Sequence, residues 1–388
     1  MTSGQSGVTA PLGFRAAGVA AGLKSDGALD VAMVVNDGPL PIGVAVTTNN
    51  RVQAAPVVWT REVAADGQLR AVLLNSGGAN ACTGPAGLVD TATSARHVAR
   101  LLDVDPSLVA VCSTGLIGER LPMDRLMLGC EHATKALHTS GGADAADAIL
   151  TTDTRRKQSV RSAHGITVGG MAKGAGMLAP SLATMLAVVT TDAVVDVATA
   201  DRVLRKAVSE TFDRIDSDGC MSTNDTVLFL ASGAAARAVD EAHLQSLVHE
   251  ACFDLSQQLL GDAEGASKDI RIDVTSAGSG ADALEVGRAI ARSSLFKCAV
   301  HGEDANWGRV LAAVGTTSAT FDPARLAVAI NGVWVCRDGS TGEDRMLVDL
   351  SGRVVIVTVD LAAGATEASV WTNDLTPAYV HENSAYSS

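Results

Sequence analysis

Gly176-Met-Leu-Ala-Pro-Ser-Leu-Ala-Thr-Met-Leu186 joins two stretches of different character. Glycine and proline punctuate the first, which reads as a loop running up to Ala183-Thr184. An apolar, β-branched run from Met185 to Thr191 follows at once and reads as a buried strand. Thr184 therefore stands at the mouth of that strand. Spacing alone does not make its hydroxyl a nucleophile. Most threonines at strand entrances satisfy local hydrogen bonds, and the residues by themselves favour that plain role.

Working outward, Val31 to Val35, Ala71 to Leu74 and Val109 to Cys112 read as further buried strands, each ending in a loop of small or polar residues. Pro122, placed at the first helical position, predicts a helix reaching about His138. Gly141-Gly142 break the chain before a short Ala/Asp helix that ends near Leu150. In the second half, Ala200, Val203, Leu204, Ala207 and Val208 fall on one helical face. Leu244, Leu247, Val248, Ala251, Leu255 and Leu259 do the same, with Gly261 as the stop. Ile270, Ile272 and Val274 alternate as in a half-buried strand, and Asn331-Gly332 signals a hairpin. Val354 to Val359 and Ala368 to Thr372 predict the last strands. No repeat or long linker divides the chain.

Hydrophobic residues make up 47% of the 388, enough for a large core, but aromatics only 3%, so Ala, Val, Leu and Ile must build it. Abundant glycine and alanine suggest close backbone packing in an α/β protein. The scarcity of aromatics argues against base-stacking platforms, and a net charge of −13 argues against a basic groove for nucleic acid. Seven widely spaced cysteines without a Cys-x-x-Cys pair read as reduced thiols, and no zinc-ligand spacing is present. No stretch approaches the ~20 apolar residues of a membrane helix. Nor does the N-terminus look like a signal peptide. The expectation is a cytoplasmic protein without membrane, nucleic-acid or metal partners.

The longer stretch Gly169 to Leu186 resembles the self-cleavage segment of the bifunctional glutamate N-acetyltransferase/ornithine acetyltransferase family of arginine biosynthesis. Five more stretches match in the same order: Gly7 to Phe14, Asn75 to Gly84, Cys112 to Gly118, Ser222 to Thr226 and Glu382 to Tyr386. Six collinear motifs cover nearly the whole chain. The resemblance implies a fold of sheets layered against helices, of the self-processing N-terminal-nucleophile type. It implies cleavage between Ala183 and Thr184, giving an α chain, residues 1–183, and a β chain, residues 184–388, in an α2β2 assembly.

The implied chemistry is acyl transfer by an N-terminal threonine. Freed by cleavage, Thr184 would supply both the attacking hydroxyl and the α-amine that takes its proton. Such an amine has a pKa of about 7.7–8.0, close to working pH. The resemblance gives Thr114 and Gly115 as the oxyanion hole, through a hydroxyl and an N–H. It gives Thr151, Lys173, Glu264, Asn383 and Ser388, with Thr184, as substrate residues, Lys173 for a carboxylate and Glu264 for an ammonium. N-acetylornithine would acetylate Thr184 and leave as ornithine; glutamate would take the acetyl group in a ping-pong cycle. No cofactor is implied, though acetyl-CoA is open as a second donor. Gly278-x-Gly280 in Thr275 to Ala283 reads as a tight turn rather than a dinucleotide site. His301, Glu303 and Asp304 are too close along the chain to converge on a metal. The chain departs from the family pattern at Ala305, Cys220-Met221 and Ala45, which bears on fine substrate preference. Two rival activities stay open: an amidase or aminopeptidase of the same architecture, in which water is the acceptor, and a secondary-metabolism paralogue with another acceptor.

Overall fold

The run after Thr184 is a strand with every residue from Leu186 to Thr191 buried. It lies at the centre of the molecule, as shown by a computed structural model that describes residues 6–179 and 185–385. In chain order the strands of the first part are β1 (Phe14–Val19), β2 (Val31–Asn36), β3 (Ile42–Thr47), β4 (Ala71–Asn75), β5 (Val109–Ser113), β6 (Lys157–Ala163), β7 (Ile166–Lys173), β8 (Leu186–Thr191) and β9 (Thr226–Ala231). Then come β10 (Asp269–Ala277), β11 (Ala327–Ile330), β12 (Val333–Arg337), β13 (Ser340–Thr341), β14 (Val354–Asp360) and β15 (Thr366–Asn373). The helices are α1 (Ala55–Val63), α2 (Gly84–Leu102), α3 (Met123–Ala136), α4 (Gly142–Ala148), α5 (Val197–Glu210), α6 (Glu241–Leu260), α7 (Gly280–Ala291), α8 (Ser294–His301), α9 (Trp307–Val314) and α10 (Pro377–Ala385).

Three sheets form, ordered β1-β2-β4-β5, β3-β9-β8-β7-β6 and β13-β12-β11-β14-β10-β15. The first two stack face to face. Ala32 and Val34 of β2, Val72 and Leu74 of β4, Val188 of β8 and Leu228 of β9 share the core between them. The alternate residues of the same strands point outward. Val31, Met33 and Val35 meet α2 and α3 on one side, while Ala187, Val189 and Phe229 meet α5 and α6 on the other. The result is a helix–sheet–sheet–helix stack. Both faces of each inner strand are covered, which is why these strands read as unbroken apolar runs. The third sheet packs one face on α7, α8 and α9. There β10 alternates, with Ile270, Ile272 and Val274 inward and Arg271 exposed. The expected layered α/β class is the observed one.

Local signals explain most elements. Asp196 and Asp240 cap α5 and α6 by accepting the N–H groups of Thr199 and His243. Asn331 and Gly332, at φ 46° and 84°, make the expected turn between β11 and β12. Two details differ. Pro122 occupies the N-cap of α3 rather than its first turn. Gly261 ends α6 in a right-handed conformation, at φ −71°, with its N–H still bonded to Gln257. The hairpin β6–β7, turning at His164-Gly165 with φ 55° and 76°, was not anticipated. Its strand β7 runs through Gly169-Gly170, which look like loop. A Cβ on Gly169 would lie 2.1 Å from the Gly7 carbonyl oxygen, so glycine here admits the N-terminal Gly7–Thr9 turn against the sheet. Among the described residues no helix is long and apolar enough to cross a membrane.

Phe229 is fully buried where β9 meets the α5/α6 layer. Phe229→Ala is expected to cost about 3–5 kcal/mol of stability, read as a lowered chemical-denaturation midpoint.

Candidate active site

Parallel strands β4 and β5 end level with each other, Asn75 opposite Ser113. The loops that leave them are laced together. Thr114 N–H donates to the Asn75 carbonyl at 3.0 Å, and Gly78 N–H to the Thr114 carbonyl at 3.0 Å. The Asn75 side chain accepts from the Ser113 hydroxyl at 2.6 Å and donates to the Gly78 carbonyl at 3.1 Å. Gly115 follows at φ +121°, and a Cβ there would come within 2.6 Å of the Gly78 nitrogen. Only glycine lets the two loops approach this closely without a shift.

The segment Ser222 to Thr226, entering β9, ties this platform to the second sheet. Asn224 Nδ2 donates to the carbonyls of Ala79 at 2.6 Å and Ser113 at 2.9 Å. The next residue, Asp225, accepts the Met185 N–H on Oδ1 at 2.8 Å. Thr226 N–H donates to the Met185 carbonyl at 3.1 Å. Consecutive residues thus hold both the loop of Thr114 and the residue after Thr184.

Lys173 ends β7 and is 1% exposed. Its Nζ donates to Thr151 Oγ1 at 2.7 Å and to Thr114 Oγ1 at 3.1 Å. Because Thr114 accepts here, its own hydroxyl hydrogen remains to be donated elsewhere. Beneath lies a second buried cation, Lys157, bonded to Asp153 at 2.5 Å and Asp262 at 2.6 Å. Asp153 also accepts the Gly174 N–H at 2.7 Å. Burial pushes the Lys173 ammonium below its ordinary pKa, against the pull of Asp153. For Asp153 burial acts upward, but Lys173, Lys157 and the Gly174 N–H outweigh it and hold the carboxyl below the usual carboxylate value.

Thr114, Gly115, Thr151 and Lys173 line one small cavity of about 50 Å³, together with Thr152, Gly176, Met177, Glu264 and Asn383. It adjoins a larger opening of about 450 Å³ between Thr151, Thr152, Glu264 and the end of α10. Glu264 is fixed by its N–H to the Ala175 carbonyl at 3.0 Å, and its carboxylate accepts from Asn383 Nδ2 at 3.0 Å. Thr114, Gly115, Thr151, Lys173, Glu264 and Asn383, chosen from the sequence, therefore meet in one place. Ala183, Thr184 and Ser388 lie outside the described residues. Sequence reasoning missed the Lys157–Asp153–Asp262 network, whose members carry no common motif. Asp225 falls within one of the collinear motifs, Ser222 to Thr226, which gives it no task.

A sequence model of the ArgJ family matches residues 15–388. The chain is 62% identical to the arginine biosynthesis bifunctional protein ArgJ of Thermobifida fusca, over 98% of this chain and 99% of that protein. It is 60% identical to the protein of the same description from Streptomyces avermitilis, over 98% of this chain and 100% of that protein. Among solved structures, the ornithine acetyltransferase of Mycobacterium tuberculosis complexed with ornithine is 59% identical over 46% of this chain and 96% of that chain, with a TM-score of 0.45.

Gly118, at φ +92°, has open space where a Cβ would stand. Gly118→Ala is therefore expected to cost about 1–2 kcal/mol from backbone strain alone. Gly115→Ala must also push backbone apart and is expected to cost about 3 kcal/mol or more, compared by urea midpoints. Asp153, with its pKa lowered in the fold, contributes stability that is present above the ordinary value of 3.8 and lost as pH falls through the folded value. Asp153→Asn leaves two buried ammonium groups short of a partner. A loss of about 3–5 kcal/mol at neutral pH is expected, with a shallower acid limb in stability measured against pH.

Proposed function

The chain belongs to the ArgJ family, the bifunctional acetyltransferases of arginine biosynthesis, and from that premise we propose that it moves an acetyl group from N-acetylornithine to glutamate through an acetyl-threonine at Thr184. The observation that supports this most is the clamp of Asn224 and Asp225, which joins the Thr114-Gly115 loop to the residue following Thr184. The residue that follows Thr184 is thereby tied to the loop that would supply the oxyanion donors.

Maturation comes first. The Thr184 hydroxyl attacks the Ala183 carbonyl, the C–N bond gives way to an ester, and water releases the α chain with a free Thr184 amine. In turnover that amine takes the hydroxyl proton as the oxygen attacks the acetyl carbonyl of N-acetylornithine. Thr114 Oγ and the Gly115 N–H hold the oxyanion, and ornithine leaves with the proton. Glutamate then attacks the acetyl ester and departs as N-acetylglutamate.

The substrate roles follow the cavity. Glu264, at its mouth, suits the far ammonium of ornithine, with Thr151 and Asn383 beside it; a substrate role for Ser388 rests on the family resemblance alone. Lys173 was expected to meet a substrate carboxylate. Its burial and its bond to Thr114 suit polarising the Thr114 hydroxyl at least as well. The cut would leave a shared sheet intact. Strands β3, β6 and β7 precede Thr184 and β8 and β9 follow it, joined by the β7–β8 and β3–β9 ladders. Chains 1–183 and 184–388 would therefore stay together, as half of an α2β2 enzyme in the cytoplasm, with acetyl-CoA as a further donor to glutamate.

Intact mass under denaturing conditions is expected to show two chains, the second beginning at Thr184, and a single uncut chain for Thr184→Ala. The mature protein is expected to convert N-acetylornithine only when glutamate is present. Conversion without glutamate would point to the amidase instead, and an uncut active wild type would overturn the nucleophile.

A further inference from the structure

Asp225 is fully buried, and the acetyl-transfer cycle gives it no task. Its place is fixed on both sides. Its carbonyl accepts the Thr48 N–H at 2.9 Å, just beyond β3, and its Oδ1 accepts the Met185 N–H at 2.8 Å. Parallel pairing of Leu186 with Thr226 sets that register. Oδ2 is also buried. Ser222 approaches the carboxyl group, but no hydrogen bond of ordinary geometry reaches Oδ2 among the described residues. A buried carboxyl oxygen left without a partner is costly unless it serves a purpose.

The Met185 nitrogen closes the peptide bond from Thr184. Only the Thr184 Cα and carbonyl carbon separate it from the Thr184 nitrogen, the atom released by cleavage. The ionisable groups facing Asp225 are Lys173 from β7 and Cys220 from the loop before β9. Burial pushes the Asp225 carboxyl well above its ordinary pKa, against the Met185 N–H and Lys173, and so favours its protonated form.

We propose that Asp225 is the proton donor for self-cleavage, passing its proton to the Thr184 nitrogen as the bond to Ala183 breaks; this rests on Thr184 being the nucleophile. Thr184 Oγ forms the new bond to the Ala183 carbonyl carbon, and the C–N bond breaks. The nitrogen leaves as an amine with the proton from Asp225. The proton lost by the hydroxyl returns to the carboxylate, so the acid is restored and no net charge develops. Water then hydrolyses the ester to the Ala183 carboxylate and the free Thr184 hydroxyl. An amide nitrogen is a poor leaving group until protonated, which is why this step needs an acid and the later transfer, with its free amine, does not.

The test follows cleavage of freshly translated precursor by denaturing electrophoresis and intact mass across a pH series. Asp225→Asn keeps an acceptor for the Met185 N–H but has no acidic proton. Cleavage in this variant is expected to slow by ~100-fold or more and to lose its dependence on pH. Asp225→Glu is expected to recover part of the rate. In the wild type, the rate is expected to fall as pH rises through the Asp225 titration. A wild-type rate with no such alkaline fall overturns the proposal whether or not any variant folds. So does Asp225→Asn cleaving at the wild-type rate while Thr184→Ala stays uncut. Normal cleavage of Thr184→Ala would instead remove the nucleophile on which the proposal rests.

Discussion

Asn224 spans the two stacked sheets at the end where the site forms. Its amide donates to the Ala79 carbonyl, in the loop leaving β4, and to the Ser113 carbonyl, at the end of β5, while its backbone runs into β9 of the second sheet. Those carbonyls are buried and need donors. One side chain satisfies both, and in doing so fixes the distance between the Thr114 loop and the start of β8. Asp225 and Thr226 extend the clamp to the N–H and carbonyl of Met185. Remove this bridge, and the sheets could still stack through their apolar faces, but the polar groups at their ends would lose a common frame.

Around that frame the protein accepts an electrostatic cost. Lys157 and Lys173 are among its largest fully buried side chains, in a chain whose surface is acidic overall. Buried ammonium groups are tolerated only when paired and hydrogen-bonded. Asp153 and Asp262 neutralise Lys157, and Asp153 also faces Lys173. Among the described residues Lys173 is bonded directly only to hydroxyls, those of Thr151 and Thr114. Its charge is therefore left incompletely matched at the cavity. That is a poor arrangement for stability alone, and one that would suit the proposed acyl transfer, in which negative charge develops at the cavity.

The period of apolar residues and the chemistry of turns made much of the fold legible. These are local properties. The covered strands β2, β4, β5 and β8, the faces of α5 and α6, and the Asn331-Gly332 hairpin follow from residues within one element. The hairpin β6–β7 escaped because Lys157, Gln158 and Ser159 look like surface residues and Gly169-Gly170 like loop. Their strand character depends on what packs on them: the Gly7 turn against Gly169, Asp254 accepting from Ser159, and Asp262 holding Lys157.

The sequence by itself determined the family, the layered α/β class and most of the residues that line the cavity, because collinear motifs and periodicity are properties of chain order. The tertiary structure alone decided how those side chains act on one another. Lys173 bonds to Thr114 rather than standing free, Asp153 serves two lysines, and Asp225 is sealed beside Met185 with one oxygen unengaged among the described residues. The contacts among them join segments far apart in the chain. Burial and pairing, which set the protonation of such groups, come into existence only when the sheets close over them.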